Sequence, residues 1–256
     1  MATDISYRAM CDSFYKRSNA TEMFLSKLDE VASEYNFDSV KSCVAIETGE
    51  GIREIGLIKK CTAGVTKFIA IEEDHEIAVR LRSHLRRRLP DVEGLVIEGD
   101  FRSWKGPSEP VDLVLAFHCL YPHFFNDVGV RQSLLKMIHD SWLNAGGFLA
   151  VLSGDSWSGK ALENDAEETF FRLGYKRREH DSFYEDILGA GFIKKHYCEF
   201  LYVQDFSNPD EALLRFYSSH VSYSATDDEV RCMMKELHPD GKAHGLLALA
   251  LFQKAL

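Results

Sequence analysis

The stretch Val44-Ala45-Ile46-Glu47-Thr48-Gly49-Glu50-Gly51-Ile52-Arg53-Glu54 sets an acidic residue and two glycines between an apolar run and an amphipathic one. Glycines spaced G-x-G let a backbone turn with positive φ and approach a ligand closely. A full dinucleotide fingerprint, G-x-G-x-x-G, would place a third glycine where Glu54 stands. About 23 residues after Gly49 the next apolar run ends in Ile71-Glu72-Glu73-Asp74, the spacing at which an acid accepts hydrogen bonds from ribose hydroxyls, and Glu72 is the expected acceptor. The third run ends in Glu98-Gly99-Asp100-Phe101. There a carboxylate can accept from an exocyclic amine and a ring can cover a purine face, although Asp100 as a turn residue and Phe101 as core would also fit. The fourth ends in Phe117-His118-Cys119-Leu120-Tyr121-Pro122-His123, a strand exit rich in functional groups that should line the pocket, with His118 the candidate among the histidines for a role there.

These groups can converge only if each apolar run is a buried strand. Residues 43–47, 67–72, 95–98, 111–117 and 148–152 read as such strands, and helices are expected at 52–62, 75–89 and 128–143, with a loop at 99–110. The alternation predicts an α/β fold: a doubly wound, mostly parallel seven-stranded sheet, completed by strands at 192–203 and 245–252. Ligands of such sheets bind at the carboxyl ends of the strands. Residues 3–36 predict one or two amphipathic helices capping the sheet, and 207–240 a helical insertion with caps at Asn208-Pro209-Asp210 and Thr226. The expected organisation is one domain, 1–256, with a helical cap over 1–38, a ligand-binding core over 39–206, and the insertion and final strand over 207–256.

The formal net charge of −10, from 40 acidic and 30 basic side chains, opposes binding to a phosphate backbone, so no nucleic-acid partner is expected. Arg80, Arg82, Arg86, Arg87 and Arg88 could be read as a basic patch, but they fall toward the end of a predicted helix, where cations suit the macrodipole. The six cysteines form no C-x-x-C pair and read as reduced thiols. No metal is expected. The N-terminal residues show no apolar signal core and no apolar run is long enough to span a bilayer, so a cytoplasmic monomer free of membranes is the expectation.

The order of an acidic-glycine turn, a second-strand acid and an Asp after the third strand resembles class I methyltransferases. The resemblance implies S-adenosylmethionine as cofactor and S-adenosylhomocysteine as product. Gly49 and Gly51 would lie under the amino-acid part, Glu47 near the methionine end, Glu72 at the ribose, Asp100 and Phe101 at the adenine, and His118 beside the donor methyl. Within that class the chain is most similar to histamine N-methyltransferases, through Ser18-Asn19-Ala20-Thr21-Glu22, Val111-Asp112-Leu113-Val114 with Leu120-Tyr121, and Val151 to Ser156 with Lys160. That likeness implies methylation of a nitrogen on a small amine or imidazole, with Glu22 receiving the substrate ammonium and Tyr15, Tyr121 and Trp157 walling the pocket. His118 stands where the family has a glutamine. The last strand departs from the family: Gly245-Leu246-Leu247, next to His244, stands where an imidazole-binding asparagine is expected, so a different small amine stays open. An NAD-linked oxidoreductase and a catalytically inactive adenosyl-binding protein are the competing readings.

Overall fold

The computed structural model describes residues 5–34, 37–121, 125, 127–154, 183–220 and 225–255, with the side chains of 219 and 220 left aside. Its strands are β1 (Ser42–Ile46), β2 (Lys67–Glu72), β3 (Glu93–Glu98), β4 (Val111–Phe117), β5 (Leu143–Ser153), β6 (Ile193–Asp205) and β7 (Lys242–Gln253). They form one seven-stranded sheet in the order β3-β2-β1-β4-β5-β7-β6. Strands β1 to β5 pair in parallel, and β7 runs antiparallel to β5. The order reverses between β1 and β4, which makes this the switch point of a doubly wound sheet.

Helices connect the parallel strands: α3 (Ile52–Cys61), α4 (His75–Arg88) and α5 (Val128–Met137). The central strands are continuous runs of buried apolar residues, as Cys43 to Ile46 and Phe68 to Ile71 illustrate, so both faces of the sheet are shielded from water there. Edge strand β3 is largely exposed. It begins at Glu93, two residues before the apolar run that announces it, since an edge needs less apolar side chain than a centre. The helix expected over 128–143 stops at Met137, and a π-helical turn (Ile138–Trp142) leads directly into β5. That wider turn accompanies the burial of Trp142, which packs edge-on against Trp104 at 4.8 Å.

The chain divides into two compact units. One comprises residues 1–24, 154–180 and 199–247, the other 25–153, 181–198 and 248–256. In the first, helix α1 (Tyr7–Lys16) places Phe14 against Phe216 at 4.7 Å and Tyr202 at 5.8 Å. Asp210 accepts from the Leu213 N–H at 2.8 Å, starting helix α7 (Glu211–His220), and from Ser13 Oγ at 2.6 Å. Thr226 and Glu229 close a capping box on helix α8 (Asp227–Leu237), so both helix starts read from the sequence are present. Helix α2 (Ala20–Glu34) begins in the first unit and ends in the second, whose further helix is α6 (Phe183–Gly189).

Register decides where the chemistry emerges. Ile46 lies beside both Ile71 and Ala116, and Glu72 beside Glu98, so β1, β2, β3 and β4 end level with one another. Glu47, Glu72, Asp100 and His118 therefore leave the sheet along one edge, at the switch point.

Candidate functional site at the strand exits

The turn from β1 into α3 holds three residues with positive φ: Glu47 at 50°, Gly49 at 57° and Gly51 at 72°. Thr48 anchors it, donating from Oγ1 to the Ala45 carbonyl at 3.1 Å and to the Ile71 carbonyl at 3.3 Å. Glu72 completes the turn. It is only 4% exposed, accepts the Gly49 N–H on Oε2 at 2.8 Å and accepts the Asp74 N–H on Oε1 at 2.9 Å. The acid expected at a ribose is thus also the buckle of the glycine turn, with lone pairs left on both oxygens for hydroxyl donors.

The two glycines differ. A Cβ at Gly49 would meet nothing within 4 Å, which leaves its backbone open to a close-lying ligand, whereas a Cβ at Gly51 would stand 2.5 Å from Leu81 Cδ1. Gly51→Ala is expected to lose about 1–2 kcal/mol of stability from left-handed strain alone. Gly49→Ala should lose no more than that strain. Urea denaturation of both variants checks the order, and a Gly51→Ala protein more stable than Gly49→Ala would contradict it.

Carboxylates crowd this turn. Burial raises the Glu47 carboxyl to about 8, helped by Glu72 and Glu73 and by Asp100, while Arg102 opposes. Burial likewise raises Glu54 to about 7; it lies 5% exposed in the first turn of α3, at the position of the absent third glycine. Glu72 is raised by burial against the pull of its two backbone donors. At the β3 exit, burial works to raise Asp100, yet the Arg102 side chain, donating from Nε at 2.7 Å, and the Arg102 N–H at 2.8 Å hold it low. Phe101 is a core residue: 1% exposed, edge-on to Phe125 at 6.0 Å, with the Arg102 guanidinium 5.8 Å over its ring.

His118 leaves β4 with φ of 58°, a conformation unusual for a non-glycine residue. Its N–H donates to the Leu152 carbonyl at 2.8 Å and its Nδ1 lies 2.9 Å from Tyr121 Oη. Nε2 is buried and has no partner among the described residues. Burial, and secondarily the Arg53 charge, pushes the imidazole well below its ordinary range, so it is neutral near pH 7. A buried neutral imidazole with one nitrogen engaged and the other available can accept or donate one proton.

No family model matches the chain, and no curated protein sequence matches it. Solved structures do. A candidate methyltransferase from Bacillus halodurans C-125 superposes with a TM-score of 0.60 at 14% identity, over 91% of this chain and 99% of that one. A geranyl diphosphate methyltransferase, solved in complex with SAM, gives 0.53 at 10% identity over 92% and 84%. The chain has the class I methyltransferase fold. The [4+2]-cyclase SpnF also matches, with a TM-score of 0.51 at 13% identity over 90% of this chain and 81% of that one. A methyltransferase fold therefore hosts more than one reaction, and the site has to decide between them.

Within this methyltransferase fold, Glu47, Gly49, Gly51, Glu72, Asp100, Phe101, His118 and Tyr121 all belong to the second unit. Tyr15 and Glu22 belong to the first. Tyr15 is 38% exposed and packs edge-on to Phe14 at 5.2 Å, and Glu22 is exposed in the first turn of α2. Trp157, Lys160 and His123 lie outside the described residues. Sequence reasoning did not single out Thr48 or Arg102. Their signals were a hydroxyl between Glu47 and Gly49 and an arginine two places after Asp100. Arg86, Arg87 and Arg88 form the last turn of α4, while Arg80 pairs with Glu50 and Arg82 with Glu98. Among the described residues no group of acidic, His and Cys side chains could hold a metal, and no helix is long and apolar enough to cross a membrane.

Proposed function

We propose that the protein is an S-adenosylmethionine-dependent methyltransferase acting on a nitrogen of a small amine. The observation that carries the reading is the β1–α3 turn itself, where Glu47 leaves the strand beside the open backbone of Gly49 and the Glu72 carboxylate that pins it, a crowding of carboxyls that together with burial lifts Glu47 to about 8. A ligand bringing an ammonium and a sulfonium adds positive charge to a turn where carboxyls outweigh Arg102, whereas the pyrophosphate of NAD brings more negative charge. The start of α3 argues the same way. Helix N-termini attract anions, but here the Glu54 carboxylate is already buried in that first turn.

Glu47 suits the cationic methionine end and the open backbone at Gly49 a close approach, while Glu72 and Asp100 offer acceptors to hydroxyl and amine donors. When bound, S-adenosylmethionine supplies an electrophilic methyl group that needs no metal. Positioning then dominates the work left to the protein. His118, neutral and with Nε2 lacking a partner among the described residues, can take the proton as the methyl is transferred to an amine bound in its neutral form; burial lowers its basicity too far for it to strip a free ammonium beforehand. An imidazole acceptor, with an ordinary pKa near about 6.5, would need that help less.

Isothermal titration calorimetry with S-adenosylmethionine, S-adenosylhomocysteine and NAD tests the cofactor. Micromolar binding of the adenosyl pair and none of NAD is expected, and the reverse order would overturn the reading. Radiolabelled methyl transfer to histamine and to a panel of primary amines tests the rest; adenosyl binding without transfer to any amine would favour an inactive binding protein or another reaction. The amine assignment rests on the resemblance at Glu22. Glu22→Gln is expected to raise KM for the accepted amine about 10- to 100-fold, the worth of one charge-assisted hydrogen bond, with S-adenosylhomocysteine affinity unchanged. Equal loss of both affinities would make Glu22 a structural residue.

A further inference from the structure

Arg131 is fully buried on α5. Its Nε donates to Asp186 Oδ2 at 2.8 Å and its Nη2 to the same oxygen, while Gln132 Nε2 donates to Oδ1 at 2.7 Å. The remaining nitrogen, Nη1, faces the Leu120 carbonyl at 3.5 Å, the long limit of a hydrogen bond, with a charged donor in a buried setting. A buried ion pair is on balance no more stabilising than apolar residues filling the same space, so stability alone does not account for it.

Leu120 stands between His118 and Tyr121. The His118 N–H is tied to Leu152 of β5, and His118 Nδ1 to Tyr121 Oη. The Tyr121 ring meets Phe183 edge-on at 6.3 Å, on the same helix, α6, that carries Asp186. A non-glycine residue at φ 58° persists only where its surroundings over-determine it. Arg131 supplies one of those constraints, since a single guanidinium joins α5, α6 and the 118–121 turn.

We propose that Arg131, held by Asp186, is a positioning residue for His118: it fixes the Leu120 carbonyl, therefore the turn from His118 to Tyr121, therefore the direction of the buried Nε2. The use made of His118 as a proton acceptor rests on the function proposed above; the positioning itself does not. Lysine keeps the charge but not the planar fork, so Arg131→Lys can serve Asp186 or Leu120 but not both geometries at once.

The decisive readout is long-range 1H–15N NMR of the imidazoles in the ligand-free protein, with His118 assigned by the signal lost in His118→Gln. The wild type is expected to show one neutral tautomer of His118. Arg131→Lys is expected to show a tautomer mixture that titrates toward the ordinary value of about 6.5. With an accepted amine, kcat should fall about 10- to 100-fold while S-adenosylhomocysteine affinity stays within about threefold, the pattern of a lost proton-transfer geometry. If Arg131→Lys does not fold, Asp186→Asn, which keeps the shape and one acceptor, carries the same readout. Unchanged His118 signals in a folded variant would overturn the proposal, and so would failure of both variants to fold, which would assign the pair to the fold alone. A wild type that binds no adenosyl compound, yet whose His118 signals respond as expected, would sink the function and leave the positioning role standing.

Discussion

Raising the pH from 6 to 8.5 is expected to lower the melting temperature of the ligand-free protein by roughly 5–10 °C, and S-adenosylmethionine to restore most of that loss. The source is a pair of glutamates, the half-buried Glu47 raised to about 8 and the buried Glu54 raised to about 7. An unfolded glutamate releases its proton near about 4.3. Between that value and its folded one, the folded chain holds a proton that the unfolded chain has lost, so stability falls as pH rises. Over this interval Glu47 contributes about two pH units and Glu54 about one. His118, buried neutral, works in the opposite direction below about 6.5 and offsets about half a unit. At about 1.4 kcal/mol per unit the net loss is on the order of 3 kcal/mol.

A cationic ligand reverses this by pairing with ionised Glu47, so binding near pH 7 should release protons and give an enthalpy that depends on the buffer. Glu47→Gln should remove most of the pH dependence. Circular dichroism melts at three pH values, with and without ligand, suffice. A ligand-free protein equally stable or more stable at pH 8.5 would show that the carboxylates are not crowded as described.

The second large effect is expected at Glu72. Each of its oxygens accepts a backbone N–H, from Gly49 and from Asp74, and the residue is buried. Glutamine offers one acceptor, and its NH2 would then face one of those two donors. Glu72→Gln should therefore lose about 2–3 kcal/mol of stability from an unsatisfied buried donor and a weakened charge-assisted bond. Affinity for S-adenosylhomocysteine should fall about 30- to 100-fold, because the turn that presents Gly49 is no longer pinned and a hydroxyl acceptor is gone. Chemical denaturation and calorimetry read both quantities. The same substitution removes a negative charge that raises Glu47, so the pH-dependent loss of stability should shrink. Affinity and stability equal to wild type would mean that the turn is held by Thr48 alone.

How much was legible can be judged residue by residue. Continuous apolar runs bounded by glycine and acidic turns mark β1, β2 and β4 within a residue or two, since a strand buried on both faces tolerates little else, whereas β5 begins at Leu143, five residues before its apolar run, because Asn144 to Gly147 carry no strand pattern. The caps at Asp210 and Thr226 were equally readable, because a cap is a bond between residues three apart. Edge strand β3 and the π-helical turn were placed less well. Solvent relaxes the pattern at an edge, and a widened helical turn has no periodicity of its own.

For the candidate site, residue types and spacing determined that an acidic-glycine turn, a second-strand acid, Asp100 and His118 would leave neighbouring strands on one side of a doubly wound sheet. Alternation and strand polarity impose that without any knowledge of packing. Only the tertiary structure decided what each group does there. Glu72 meets Gly49 across 23 positions of sequence, Arg131 meets Asp186 across 55, Phe101 turns into the core, and the Glu47 carboxyl is pushed up to about 8. These outcomes follow from register and from the exclusion of water, which arise when distant segments pack together and which no local pattern carries.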